Sequence, residues 1–241
     1  MIVDNNGVRI NKYIAQCGYC SRRDADILIK KTLVIVNGKP ASPGMMVTDR
    51  DDIRINGKPL NIPTVKVVLA YYKPIGVVCT SRDKHAKITV QDNLKYPQRL
   101  TYAGRLDKES EGLLLMTNDG GLIDAMMRGA NRHEKEYVVK VNKPLNDAAL
   151  DRMRSGIYLK ELDITTRECE ITQTGTYTMN MILTQGVNRQ IRRMCRAVGY
   201  EVRSLKRTRV MNIELGDLKP GEYRELTDME LQALYSECAI R

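Results

Sequence analysis

Apolar positions along the chain fall into a short helical opening and then a long series of strand-like runs. Within Val8 to Ala15, residues 10, 13 and 14 are apolar at helical spacing. Ser21, with Asp24 three positions on, reads as the cap of a second helix from Arg22 to Lys31 that turns Ala25, Leu28 and Ile29 to one face. Two β-rich runs follow, Leu33 to Val36 before Asn37-Gly38 and Asp52 to Ile55 before Asn56-Gly57, and Asn-Gly is a strong hairpin signal. Asn61-Ile62-Pro63-Thr64 reads as a linker.

Beyond the linker the period shortens. Lys66 to Tyr72, Val77 to Thr80, Leu113 to Thr117, Lys135 to Val141, Thr165 to Ile171, Tyr177 to Leu183 and Val202 to Val210 are predicted strands. Thr101 to Ala103 leads into a loop, Gly104-Arg105-Leu106-Asp107. Helices are predicted over Gly121 to Arg128, Ala148 to Ser155, Arg189 to Val198 and Thr227 to Tyr235, the last capped by Thr227 and Glu230. Many strands with few helices between them predict an α+β protein. Residues 1–62 would form a small module, and 65–241 a larger body on a mixed, mainly antiparallel sheet.

Composition narrows the partners. The 241 residues are 42% hydrophobic, enough for a packed core, but 39 Lys+Arg against 29 Asp+Glu leave a net charge of +10. The cations cluster: Asn188 to Arg209 holds eight of them (Arg189, Arg192, Arg193, Arg196, Arg203, Lys206, Arg207 and Arg209) against Glu201 alone. Such density predicts a salt-sensitive phosphate channel, and so an RNA partner. No apolar run approaches the roughly 20 residues that span a bilayer, and Met1 to Asn6 lack the pattern of a signal peptide. A cytoplasmic protein without a membrane partner is expected. No long apolar stripe asks for a second subunit, so a monomer is expected.

The six cysteines are too scattered for a disulfide scaffold. Cys17-Gly18-Tyr19-Cys20 has no second pair to complete a zinc site and no thioredoxin-like surroundings. Two partly buried thiols is the simpler reading. His85 and His133 stand alone and form no ligand cluster for a metal. The chain has 12 Tyr but no Phe or Trp, which leaves base stacking to Tyr, His or Arg.

Candidate chemistry centres on Asp107. Taken alone, an aspartate after Gly-Arg-Leu is a turn residue capping its own backbone. Ahead of the apolar run Leu113 to Met116, and with arginines available to stabilise its ionised form, it is also a carboxylate nucleophile in a site for a polyanion. Glu109 and Glu111 offer a second carboxylate, as a glycosidase would need, but the basic surroundings disfavour a carbohydrate.

Two resemblances give these residues roles. Arg9-Ile10-Asn11-Lys12-Tyr13-Ile14, Cys20-Ser21-Arg22-Arg23-Asp24-Ala25 and Val36-Asn37-Gly38-Lys39 resemble the S4 RNA-binding domain, with its α-L-like fold, and Arg22 and Arg23 would then meet RNA. The second resemblance rests on three motifs: Gly104-Arg105-Leu106-Asp107 with Ser110-x-Gly112-Leu113, Lys135-x-Tyr137-x-Val139, and Gly186-x-Asn188-Arg189-Gln190-Ile191-Arg192-Arg193-Met194. In that order behind an S4-like module, they resemble the ribosomal small-subunit/large-subunit branch of pseudouridine synthases. His133 to Tyr137 and Lys206 to Asn212 are most similar to its large-subunit (23S) F group.

The resemblance implies detachment of a uracil from its ribose at N1, rotation of the base, and rejoining through C5, without a cofactor. It implies Asp107 as nucleophile, acting at C1′ or by deprotonating C2′. Tyr137 would stack on the base, and Arg189, with Arg192 as the alternate, would be the basic partner. Arg105, Leu106, Lys108, Gln190, Ile191, Arg192 and Arg193 would contact RNA around a flipped nucleotide. The implied substrate is 23S ribosomal RNA; the group also has a member that acts on a tRNA anticodon loop. The competing readings are a non-catalytic S4-type protein of ribosome assembly and a Cys17/Cys20 thiol oxidoreductase.

Overall fold

A computed structural model of the protein describes residues 7–61, 65–80, 88–128 and 132–239. Most of the linker at 61–64, the N-terminal Met1 to Asn6, and His85 lie outside them. The chain forms two compact units. One comprises Met1–Val67 with Tyr96–Thr101 and Thr117–Gly120, and the other Val68–Lys95, Tyr102–Met116 and Gly121–Arg241.

In the first unit, β1 (Val8–Arg9) runs directly into α1 (Ile10–Gln16), and α2 (Arg22–Lys30) follows. Ser21 caps α2 as its sequence predicts, its hydroxyl accepting the Asp24 N–H at 3.2 Å. The strands are β2 (Val34–Val36), β3 (Lys39–Pro40), β4 (Met46–Val47), β5 (Ile53–Ile55) and β6 (Lys58–Pro59). Asn37-Gly38 and Asn56-Gly57 all have positive φ, as the two-residue hairpin turns β2–β3 and β5–β6 require. Ile10, Tyr13, Ile14, Ala25, Ile29, Val34, Val36, Ile53 and Ile55 form one core.

Cys17 and Cys20 close the turn between the helices as free, half-buried thiols. Burial pushes the Cys17 thiol up to about 12 and raises Cys20 as well. Thiols held in their protonated form are poor nucleophiles, which argues against the oxidoreductase reading.

The second unit is built on one large sheet. Its strands are β7 (Val68–Lys73), β8 (Thr101–Ala103), β9 (Glu111–Thr117), β10 (Lys135–Val141), β13 (Glu170–Gly175), β14 (Thr178–Leu183), β15 (Val202–Val210), β16 (Ile213–Glu214) and β17 (Tyr223–Glu225). The short pair β11 (Tyr158–Leu159) and β12 (Ile164–Thr165) stands apart. The order across the sheet is β13-β14-β10-β15-β9-β7-β17, with β8 beside β9 and β16 beside β15. The β9–β15 pair is parallel; β13–β14, β14–β10, β10–β15, β15–β16 and β7–β17 are antiparallel. Mixed and mainly antiparallel is the arrangement expected.

Helices α3 (Val90–Leu94), α4 (Gly120–Met127), α5 (Asp147–Arg154), α6 (Gln190–Ala197) and α7 (Asp228–Glu237) complete the fold. Two apolar cores divide the unit. One gathers Val68, Ala70, Leu113, Leu115, Leu122, Val210 and Leu234. The other gathers Val139, Leu150, Met153, Met179, Met181, Ile191, Met194 and Leu205. Strand β15 belongs to both, with Leu205 in one and Val210 in the other.

Several expectations are corrected. Val77 to Thr80 forms no strand: after the turn at Gly76 (φ +89), Val78 makes a single bridge to Thr89. Thr165 to Ile171 is interrupted because Thr166 bonds Ile157 through both its backbone N–H and its hydroxyl, so β13 starts only at Glu170. Helix α6 starts at Gln190 with Arg189 as its cap. The sequence reading passed over α3, although Thr89 and Asp92 form a capping box in front of it. It also passed over edge strand β17, whose three residues carry no alternation to see. No helix among the described residues is long and apolar enough to cross a membrane.

Candidate active site

Strand β8 delivers the chain to Gly104 (φ +82), and the loop that follows is tied down at its backbone. The Ser110 N–H donates to the Asp107 carbonyl at 3.1 Å, and the Gly76 N–H donates to that of Lys108 at 2.8 Å. Beneath them the wholly buried Lys73 donates from Nζ to Ser110 O at 2.7 Å and to Pro74 O at 2.8 Å. Burial lowers its pKa to about 8, opposed by the nearby Cys79, Asp107 and Glu111. Behind the loop Leu113 to Met116 are each at most 1% exposed. At roughly 1.5–3 kcal/mol per buried side chain, they anchor it as the sequence predicts.

Gly112 explains why the motif needs a glycine there. Its φ is +107, and a Cβ would lie 2.2 Å from the carbonyl oxygen of Arg207, its partner in the parallel β9–β15 pair. Only a residue without a side chain allows the two strands to meet.

Asp107 projects from this loop with its side chain 31% exposed, and Arg189 Nη1 stands 3.7 Å from its Oδ2. The same Nη1 lies 2.8 Å from Glu109 Oε2. The hydrogen bond from Arg189, chiefly, holds the Glu109 carboxyl below the usual range. Arg189 adopts a left-handed conformation (φ 51, ψ 34) and makes no side-chain cap, which leaves its guanidinium turned to the carboxylates. Arg192 does not reach Asp107. It donates to Val202 O at 3.3 Å and to Glu109 O at 3.1 Å.

These groups open onto a cleft of 470 Å³ lined by the Asp107 loop, the segment 185–191, Tyr137 and Lys135 on β10, and Leu205 and Arg207 on β15. Tyr137 is half-buried and faces Arg207 across the β10–β15 pair, beside a register shift at Glu136/Tyr137. All three motif groups therefore meet in one place: Asp107, Tyr137 and Arg189 line the same cleft.

The other expected contacts divide. Arg105 and Lys108 are exposed on the cleft wall. Leu106, Gln190 and Ile191 line it but are at most 7% exposed, and the Gln190 side-chain oxygen accepts the Val187 N–H. Arg193 is engaged by Glu161 and by the Asn188 carbonyl. In the first unit, Arg22 and Arg23 are exposed on α2.

The stretch from Asn188 to Arg209 is not the uniform cationic face its composition predicts. Arg209 is paired with Glu134 and Glu136, Arg192 and Arg193 are bound as above, and Arg207 is 2% exposed. Carboxylates distant in sequence neutralise part of the patch, and the fold buries another part.

Lys135 and Arg207 also line the cleft, although sequence reasoning named one only within a motif and the other only among eight clustered cations, and gave neither a place in the site. The cue was present, since Lys135 lies two residues from Tyr137 and so on the same face of the strand.

Comparison with known proteins agrees with this geometry. Residues 67–197 match the model of the family described as RNA pseudouridylate synthase, and residues 8–53 that of the S4 domain. The chain is 40% identical over 236 residues to the dual-specificity RNA pseudouridine synthase RluF of Shigella flexneri, covering 97% of this chain and 80% of that one. It is 36% identical to the ribosomal large subunit pseudouridine synthase B of Bacillus subtilis strain 168, covering 94% and 95%. A solved structure described as a pseudouridylate synthase superposes with a TM-score of 0.70 at 28% identity, over 94% of this chain and 99% of that one. These matches set aside the non-catalytic reading: the chain belongs to the RNA pseudouridine synthases that carry an S4 domain before the catalytic domain, and it is an isomerase of uridine in RNA.

Proposed function

We propose that this enzyme converts a uridine of 23S ribosomal RNA to pseudouridine with Asp107 as nucleophile, and that a tRNA anticodon-loop uridine is a second substrate. The observation that carries the catalytic assignment is the ion pair of Asp107 with Arg189 at the mouth of a cleft that Tyr137 also lines. An ionised carboxylate beside a guanidinium, facing a half-buried tyrosine, suits attack on the sugar of a flipped nucleotide whose base stacks on the ring. Arg105, Lys108, Arg192 and Arg193 would hold phosphates around it, with Leu106, Gln190 and Ile191 shaping the wall. The module at 1–62, through Arg22 and Arg23, would recognise the RNA, and 65–241 would do the chemistry. The RNA choice is supported by the relatives, one named for dual RNA specificity and one for the large ribosomal subunit. The enzyme is taken to work as a cytoplasmic monomer that needs no cofactor.

The test uses total RNA labelled with 5-tritiated uridine from a strain lacking the gene, which presents every target unmodified. Wild-type protein should release tritium, and Asp107→Asn should release none while still binding the RNA. Release by Asp107→Asn at the wild-type rate would overturn the assignment. Mapping the pseudouridines restored by the wild type tests the 23S and tRNA targets.

A further inference from the structure

Among the described residues lining the cleft there are five cations, Arg105, Lys108, Lys135, Arg189 and Arg207, and one carboxylate, Asp107. Solvent serves the exposed Arg105 and Lys108, and Asp107 and Glu109 serve Arg189. Lys135 and Arg207 have no such account. Arg207 is 2% exposed and is held by one side-chain hydrogen bond among the described residues, from Nε to Leu113 O at 2.7 Å. Its Nη2 is buried without a partner. Lys135 donates from Nζ to the His133 carbonyl at 3.0 Å, and neither cation has a carboxylate partner among the described residues. Burial first, and then repulsion from Arg207, lowers the Lys135 pKa to about 8.

A buried arginine beside a half-buried lysine, with no counter-ion among the described residues, is costly, and apolar residues of the same size would favour folding. Arg207 nevertheless lies on β15 between Leu205 of one apolar core and Val210 of the other. A charge kept at such a position implies an anion that arrives with the substrate. Backbone phosphates are well hydrated and are within reach of the exposed cations at the rim. Buried Arg207 and half-buried Lys135 line the cleft with Tyr137, where a flat base would enter, so the anion they suit is the base.

We propose that Lys135 and Arg207 receive the uracil ring at its carbonyl oxygens and stabilise the negative charge it carries after detachment from the ribose. The proposal rests on the Asp107 reading above. When the C1′–N1 bond breaks, its electron pair leaves with the ring. C1′ then bonds to an Asp107 oxygen, or else C2′ gives its proton to Asp107 and a C1′=C2′ double bond forms. On either route the ring holds one negative charge over N1, O2 and O4 until C5 bonds to C1′. That step breaks the C1′–Asp107 bond on the first route and, on the second, consumes the C1′=C2′ double bond as Asp107 returns its proton to C2′. C5 then loses its proton and N1 gains one, so the sequence balances without an oxidant or co-reactant. Donors placed where charge develops are the strongest device available to such a step.

The test measures single-turnover tritium release from the labelled total RNA, alongside RNA binding by filter retention. For Arg207→Met and Lys135→Met the release rate should fall by about 100-fold, the usual effect of losing one such donor. RNA affinity should stay within about threefold of wild type, since no phosphate contact is removed. Arg207→Lys and Lys135→Arg should each recover about tenfold of the rate by restoring a charged donor. Because Arg207 also holds the Leu113 carbonyl, a thermal melt checks its variants, and Lys135→Met decides the matter if Arg207→Met does not fold. A Lys135→Met enzyme with wild-type release, or with a loss seen only in RNA affinity, would overturn the proposal. No release by the wild type, or undiminished release by Asp107→Asn, would instead remove the reading beneath it.

Discussion

At the rim of the cleft, Arg189 lies 2.8 Å from Glu109 and 3.7 Å from Asp107, and the three side chains keep 38%, 59% and 31% of their surface exposed. On the floor, Lys73 is fully buried, Arg207 nearly so, and their hydrogen-bond acceptors are backbone carbonyls. Charges of one sign thus occupy two environments. Rim pairs are solvated, worth about 0–1 kcal/mol each, and free to exchange partners when RNA arrives. Floor cations lower stability and are held in place by the strands themselves. The contrast teaches where stability and activity are coupled. A rim substitution should alter catalysis and leave folding alone, whereas a floor substitution should alter both.

The largest test of that contrast is Gly112→Ala. It changes no charge, yet its Cβ would sit 2.2 Å from Arg207 O and 2.7 Å from Arg207 N. Backbone atoms cannot rotate away as a side-chain tip would, so β9 and β15 must separate where Gly112 pairs with Arg207. A loss of about 3–5 kcal/mol is expected from the clash together with the unfavourable positive φ. Urea denaturation measures it, and activity should fall further than stability because Arg207 is displaced. A variant as stable as wild type would show that the parallel pair is not the floor's support.

The second test works through pH. The Lys135 pKa is lowered to about 8 from an ordinary 10.5, by burial and then by Arg207. Below pH 8 the lysine is charged both folded and unfolded, and the folded state carries the whole penalty. Between pH 8 and 10.5 the folded protein releases the proton while the unfolded chain retains it, so this group's destabilisation fades as pH rises. Lys135→Met should therefore be more stable than wild type at pH 7, by on the order of 2 kcal/mol. The advantage should shrink by pH 9.5. Urea denaturation followed by tyrosine fluorescence at both pH values provides the check. An advantage that is absent, or that grows with pH, would mean that Lys135 is not a strained cation.

Sequence legibility follows the same division. The rim lies in local turn chemistry, so Gly104, Asp107 and the apolar run behind them could be recognised from neighbouring residues. The first unit was legible for the same reason, since Ser21 with Asp24 and the two Asn-Gly turns carry their structure locally. Arg189 as the partner of Asp107 came from family resemblance, because nothing near it in sequence indicates a carboxylate on a loop about 80 residues earlier. The floor was misread. Arg207 was one cation of eight in a stretch expected to meet phosphates, and only the crossing of β9 by β15 buries it. Thr165 to Ile171 failed similarly, through a Thr166 hydroxyl bonded to the backbone of a preceding turn.

The smallest effect should come from Glu109→Gln. Glu109 takes the shorter contact with Arg189, and that hydrogen bond is the main reason its carboxyl lies below the usual range. The sign follows: the pair is fully formed above the ordinary glutamate range and is lost only as pH falls through the lowered value, so at neutral pH Glu109 competes with Asp107 at full strength. Removing its charge should leave stability within about 0.5 kcal/mol, as for other exposed pairs. Arg189 would then turn to Asp107 alone, and the release rate should rise by about two- to threefold, the kinetic equivalent of a few tenths of a kcal/mol. The gain should shrink in high salt, where solvated pairs are screened. A rate that falls instead would show that Glu109 holds Arg189 in position for Asp107, and would tie the rim together as tightly as the floor.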